Sequence, residues 1–174
     1  MDIIDINQNQ RLEKQLNFIV EIDKVKNILR KSKLFNGNRF ENDAEHSWTI
    51  SIMAFLLKEY SNFPVNIEKV IMMLLIHDIV EIDAGDTFLY SSERKDIQDK
   101  ENKSAERIFG LLEKEQKDYF IGLWKEFEAK ETNEAKFATI FDRLEPLMQN
   151  YLTKGYAWKE HNITYEMVIK IINI

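Results

Sequence analysis

Val70-Ile71-Met72-Met73-Leu74-Leu75-Ile76-His77-Asp78-Ile79-Val80-Glu81 is the stretch on which the fold turns. The run over 70–76 contains no polar side chain, which either a buried strand or a buried helix can show. The neighbouring residues decide between them. No Gly or Pro interrupts 67–81, and a span of about fifteen residues exceeds an ordinary strand. The spacing therefore predicts a helix over 67–81, apolar on all sides and hence central. Directly after the apolar run come His77, Asp78, Glu81 and Asp83, then Asp86 beyond Gly85. A His-Asp pair at the end of the most apolar helix is costly unless its polar groups are satisfied. Two arrangements satisfy them: a core histidine bonded to a neighbouring carboxylate, or coordination of both to a metal ion. Glu81 lies four residues after His77 and three after Asp78, on the same helical face, and this clustering favours the second.

Upstream, Leu12, Leu16, Ile19, Ile22, Val25 and Leu29 recur at helical spacing and predict a helix over 11–30 with one apolar stripe. Asn36-Gly37-Asn38 breaks the pattern. Asn42 reads as the N-cap of a second helix, with Glu45 completing a capping box, and Trp48 reads as part of its core face. Pro64 and Asn66 precede the central helix, and Gly85 ends it. A polar loop follows over 86–96, a candidate lid. Helical patterns resume at 97–112 and 116–130, where Phe109, Phe120, Trp124 and Phe127 are either core or interface. Thr132 caps a helix carrying Phe137, Ile140, Phe141 and Leu144, with Pro146 inside it, and a short helix spans 164–172. No repeat or compositional break appears, so 1–174 reads as a single all-α domain.

Composition narrows the function. The chain has 174 residues, 44% hydrophobic and 31% charged, with a net charge of −6. It has no cysteine, which excludes disulfides, thiolate metal sites and cysteine nucleophiles and fits a reducing, cytoplasmic compartment. The acidic N-terminus lacks the apolar core of a signal peptide. The apolar run at 70–76 is too short to span a bilayer, so no membrane association is expected. Without a basic stripe a long nucleic-acid partner is not expected, whereas a small anion is compatible because a bound cation reverses the local field.

Among the three histidines, His46 follows Glu45 on the second helix. His161, beside Glu160 and Asn162, reads as a surface residue. Asp142 sits among Ile140, Phe141 and Leu144. Pro146, four residues on, removes the hydrogen bond to its carbonyl. A surface pairing of Asp142 with Arg143 or Lys136 is the plainer alternative. For phosphate, Arg39 just before the Asn42 cap is the first candidate, since a guanidinium grips phosphate oxygens bidentately; a solvated loop arginine is the alternative. Lys95, and less so Arg94 and Lys103, are further candidates, and Phe88 and Tyr90 could contact a base.

The order His46, His77-Asp78, Asp142 resembles the H…HD…D signature of the HD-domain phosphohydrolases. The words Glu41-Asn42-Asp43-Ala44-Glu45-His46-Ser47, His77-Asp78-Ile79-Val80-Glu81-Ile82-Asp83-Ala84-Gly85-Asp86 and Asp142-Arg143-Leu144-Glu145-Pro146 are similar to its 5′-deoxynucleotidase-like branch. The resemblance implies an all-α helical HD-domain bundle with His46, His77, Asp78 and Asp142 as metal ligands. It implies Glu81 as general base or orienter of the attacking water, and Asp86 as the residue that positions water or phosphate. Such a ligand set suits one divalent transition metal, Mn, Co, Fe, Ni or Zn. No further histidine lies between 79 and 141 to recruit a second. Where nucleotidases of the branch resemble one another in an Arg-Trp pair, alignment places Lys31-Ser32. Lys31 keeps a charge for phosphate, but Ser32 lacks the indole tied to 2′-deoxy selectivity. The implied activity is phosphoric monoester hydrolysis of nucleoside 5′-monophosphates, by a homodimer. Phosphodiester or pyrophosphate hydrolysis on the same site, or non-catalytic nucleotide sensing, are the rivals.

Overall fold

The computed structural model describes the backbone of residues 6–86 and 94–172 and the side chains of 9–86 and 97–172. At its centre lies α3 (Ile67–Ile76), whose Asn66 cap accepts hydrogen bonds from the Glu68 and Lys69 amides. Val70, Met73 and Leu74 on α3 are wholly buried, as an all-round apolar helix requires. α2 (Asp43–Leu56), α6 (Lys114–Ala129) and α7 (Asn133–Leu152) pack around it. The expected caps form. Asn42 and Glu45 make the reciprocal capping box of α2, and Thr132 accepts from the Ala135 amide at the start of α7. Such caps stabilise a helix by about 1 kcal/mol each.

The expected helix over 67–81 is three pieces. α3 stops at Ile76, a 3-10 turn spans His77–Val80, and a short α4 covers Glu81–Ala84. Asp78 on the 3-10 turn and Glu81 at the start of α4 both line one cavity.

The helix expected over 11–30 is also divided. α1 covers Ile6–Ile22, a 3-10 turn covers Asp23–Asn27, and β1 (Leu29–Lys33) then pairs antiparallel with β2 (Phe40–Asn42). The connection turns through Asn36-Gly37, with Gly37 at φ 75°, a backbone conformation that glycine adopts without steric cost. Asn-Gly is a hairpin signal, and the apolar periodicity leading into it masked the strand. The expected stripe on this segment is not buried: Leu12, Leu16, Ile19 and Leu29 are exposed. Phe18 anchors α1 instead, against Phe120 and Phe109 with ring centroids 5.8 and 6.2 Å away. Trp48, expected in the core, is 65% exposed. Phe109, Trp124 and Phe127 are core, and Phe120 packs on its edge.

α5 (Arg94–Phe109), α8 (Tyr156–Glu160) and α9 (Tyr165–Ile172) complete the helical bundle. Phe88, Tyr90 and most of the candidate lid fall outside the described residues. No described helix is long and apolar enough to cross a membrane.

Candidate metal centre

Three elements far apart in the chain converge on one point. The first turn of α2 supplies His46, the 3-10 turn supplies His77 and Asp78, and the middle of α7 supplies Asp142. His46 Nε2 lies 3.2 Å from Asp142 Oδ1 and 4.0 Å from Asp78 Oδ2. His77 Nε2 lies 3.0 Å from Asp78 Oδ1 and 3.6 Å from Asp142 Oδ1. Ligand bonds of about 2.0–2.2 Å to a shared ion put neighbouring donor atoms about 3–4 Å apart, and these separations meet that condition. His46, His77 and Asp142 each place a ligand atom within 4.8 Å of the others.

The tautomers fit as well. His77 Nδ1 lies 2.8 Å from the Leu74 carbonyl, which can only accept, so Nδ1 carries the proton and Nε2 presents a lone pair. His46 Nδ1 lies 3.2 Å from Glu145 Oε2, so a neutral ring with its proton there would offer Nε2 to an ion. His77 Nε2 is buried and makes no aligned hydrogen bond. Ordinary packing rarely leaves such an atom unpaired, and a cation resolves it. The donor set of two imidazoles and two carboxylates thus fits a divalent transition metal. Burial pulls the His46 imidazole down, but the Asp142 and Glu145 carboxylates more than reverse this and lift it to about 9. Burial alone would raise Asp142, yet the adjoining His46 and His77 imidazoles hold it well below the usual carboxylate range.

Beside this centre Asp43, Glu81 and Asp86 bring carboxylate oxygens within 4.8 Å of one another. One oxygen on each is buried without a hydrogen-bond partner. Burial first, then the charges of Asp78, Asp43 and Asp86, push the Glu81 carboxyl well above its ordinary value. Burial likewise raises Asp86 and, with the Asp78 charge, lifts Asp43 to about 6. The histidine count argued for one ion, but an oxygen-only group needs no histidine to hold a hard cation. That count therefore does not bear on this trio.

Arg30 closes the arrangement, with Nη1 2.9 Å from Asp78 Oδ2 and 3.3 Å from Asp43 Oδ1. One cavity joins these residues. Arg30, Lys31, Ser32, His77, Asp78, Glu81, Asp86 and Asp142 line it, and Pro146, Leu147, Trp158 and Ile171 form its apolar wall.

The structure therefore gathers His46, His77, Asp78, Asp142, Glu81 and Asp86, and it keeps Lys31 on the cavity wall. Arg39 is not brought there. Its exposed guanidinium is held by Glu45, at 2.7 and 2.5 Å, and by the Phe40 carbonyl. Of Lys95 only the backbone, in α5, is described. Lys103 and His161 are exposed and do not line the cavity. Sequence reasoning missed Arg30, Asp43, Glu41 and Glu145. Arg30 was reachable, because it precedes Lys31 by one residue, but the expected helix concealed that strand alternation turns it inward.

The bundle and its His-Asp centre define the class: residues 22–173 match the HD-domain family model, and the chain belongs to that family. It is similar to particular proteins within it. A crystal structure described as a predicted metal-dependent phosphohydrolase from Magnetospirillum magnetotacticum superposes with TM-score 0.91 at 50% identity, over 97% of this chain and 85% of that one. The 5′-deoxynucleotidase HDDC2 of Danio rerio is 27% identical over 79% of this chain and 68% of its own length. The human protein of the same name is 25% identical over 77% of this chain and 65% of its own length. The chain thus spans about two-thirds of these curated relatives. An HD-domain phosphohydrolase from Listeria innocua, at 18% identity and TM-score 0.64 over 90% of this chain and 75% of that one, shares the fold.

Proposed function

We propose that the chain is a metal-dependent phosphomonoesterase that converts nucleoside 5′-monophosphates to nucleoside and orthophosphate. One observation carries this reading: the His46 and His77 Nε2 atoms meet the Asp142 carboxylate beside a cavity lined by Glu81 and Arg30. The names of the HDDC2 relatives support the nucleotide as substrate. His46, His77, Asp78 and Asp142 hold a single divalent ion such as Mn, Co, Fe, Ni or Zn. When bound, that ion supplies Lewis acidity, easing deprotonation of water and offsetting phosphoryl charge.

The chain's own residues do the rest. Water adds to phosphorus opposite the ester oxygen, so a new P–O bond forms as the bond to the C5′ oxygen breaks. Glu81, whose carboxyl is pushed well above its ordinary value by burial and by the Asp78, Asp43 and Asp86 charges, accepts the water proton. The departing oxygen takes up a proton and leaves as the nucleoside hydroxyl. Asp86 orients the water. Arg30 and Lys31, both on the cavity wall, hold phosphoryl oxygens. Ser32 on the wall leaves room beside the sugar, so ribo- and deoxyribonucleotides are both accepted. The chain works as one domain and as a homodimer. Trp48, Ile52, Phe55 and Leu56 on α2, and Met148, Tyr151 and Leu152 on α7, expose apolar stripes on two helices that pack together; light scattering tests the dimer.

The enzymatic test is orthophosphate release from a panel of nucleoside 5′-monophosphates with Mn²⁺ or Co²⁺. Wild type is expected to release phosphate and free nucleoside, and Asp78→Ala to lose about a thousandfold or more, a barrier of several kcal/mol. Equal rates in the two proteins would refute the reading. Cleavage only of diesters or anhydrides would favour a phosphodiesterase or pyrophosphohydrolase instead.

A further inference from the structure

On the far side of His46, away from the cavity, lies a second polar group that the reaction above does not use. Glu41, Glu145 and Gln149 are each at most 2% exposed, and none lines the cavity. Both oxygens of Glu145 are committed. Oε2 faces His46 Nδ1 at 3.2 Å, and Oε1 accepts from the Gln149 side-chain amide at 2.5 Å. Glu41 Oε2 stands behind, 3.8 Å from the same imidazole nitrogen. Asp142, Glu145 and Gln149 follow one another at three- and four-residue spacing on α7, so they share one helical face.

His77 is supported differently. Its Nδ1 donates to the Leu74 carbonyl, a neutral acceptor three residues back in the chain. His46 has only side chains from other elements to fix its ring, and its partner is a carboxylate.

We propose that Glu145, held by Gln149, is a positioning residue that fixes the tautomer and ring angle of His46 toward the metal. The inference rests on the metal reading above. Burying a carboxylate costs several kcal/mol unless it is paired. Merely filling space at this position would be better served by an apolar residue. The arrangement uses the charge: an acceptor that locks Nδ1–H also makes Nε2 a stronger donor to the ion.

The experiment is a Co²⁺ titration of the full chain by calorimetry and visible absorption, on wild type, Glu145→Ala and Glu145→Gln. Glu145→Ala is expected to weaken Co²⁺ binding about 10–100-fold and to alter the ligand-field bands. Glu145→Gln is expected to restore most of the affinity, because an amide oxygen still accepts from Nδ1 and the Gln149 amide can turn over to match it. An unchanged affinity and spectrum in folded Glu145→Ala overturns the positioning role alone. A wild-type chain that takes up no Co²⁺ overturns the metal reading and this inference with it. Should Glu145→Ala fail to fold, ¹⁵N shifts of the wild-type imidazoles with Zn²⁺ bound decide the matter. With only three histidines the signals are assignable, and a His46 protonated on Nε2 overturns the proposal, whereas Nδ1–H supports it.

Discussion

Two buried polar trios flank His46, and they differ in what their carboxylates face. Behind it, Glu145 commits both oxygens, one to the imidazole and one to the Gln149 amide, while Glu41 Oε2 and Gln149 Oε1 are buried without a hydrogen-bond partner. In front, Asp43, Glu81 and Asp86 keep buried oxygens with no hydrogen-bond partner at all. Both sets are rich in carboxylate and poor in solvent. The difference is clearest between Glu145, whose two oxygens are committed, and Glu81 and Asp86, which line the cavity with an uncommitted oxygen each. A committed carboxylate fixes geometry, whereas an uncommitted one has capacity left for water, a proton or a cation. Buried unpaired oxygens cost about 1–3 kcal/mol each, and those of Glu81 and Asp86 border the cavity, where water or a cation can relieve them.

The sharpest way to break this contrast is Glu81→Gln. We expect kcat to fall about 10²–10⁴-fold while the melting temperature holds or rises, since a buried like-charge repulsion disappears. Full activity in Glu81→Gln would erase the distinction between the trios. Next in size is the pH dependence of metal uptake. With His46 lifted to about 9, its imidazole is protonated at neutral pH in the metal-free chain. Its folded value lies above the unfolded one, so the stabilising proton is fully present below about 6.5 and is lost as pH rises through about 9. Cation binding must expel it, so affinity should rise about tenfold per pH unit below that value. Calorimetry in buffers of different ionisation enthalpy measures the released proton, and a pH-independent affinity would contradict the expectation. The smallest effect is expected from Gln149→Leu behind the imidazole. It leaves Glu145 Oε1 buried and unpaired, which should cost about 1–3 kcal/mol of stability in a urea titration, with kcat changed far less than by Glu81→Gln. A larger loss of kcat than of stability would place the rear trio in the chemistry.

The parts legible in the sequence were those fixed by local chemistry. Asn42 with Glu45, and Thr132 before α7, announce helix starts because their side chains satisfy amides a few residues away. His77-Asp78 after an apolar run was readable because burial of such a pair demands a partner. Asp142 was suspected from its apolar neighbours, and the structure brings it to His46. Long-range pairing was less legible. Nothing in 28–33 alone says that it will pair with Phe40–Asn42, so Arg30 was read as the end of a helix rather than as an inward strand position. Exposure also misled: Leu12, Leu16 and Ile19 keep a helical period yet face outward, since periodicity reports a shared face and not what covers it. Glu145 was quoted within its motif but carried no signal of its own, because its role depends on an imidazole 99 residues away.

α7 carries Asp142, a proposed ligand, and also packs against α2, α3, α6, α8 and β1. An ion gripped there does not stabilise one corner of the molecule; its binding free energy is shared across the bundle through a single rod. Whatever binds only the native chain raises stability with the logarithm of its concentration over Kd. Heat resistance and protease resistance of this protein should therefore track the supply of the cation, making the folded lifetime itself a readout of metal availability.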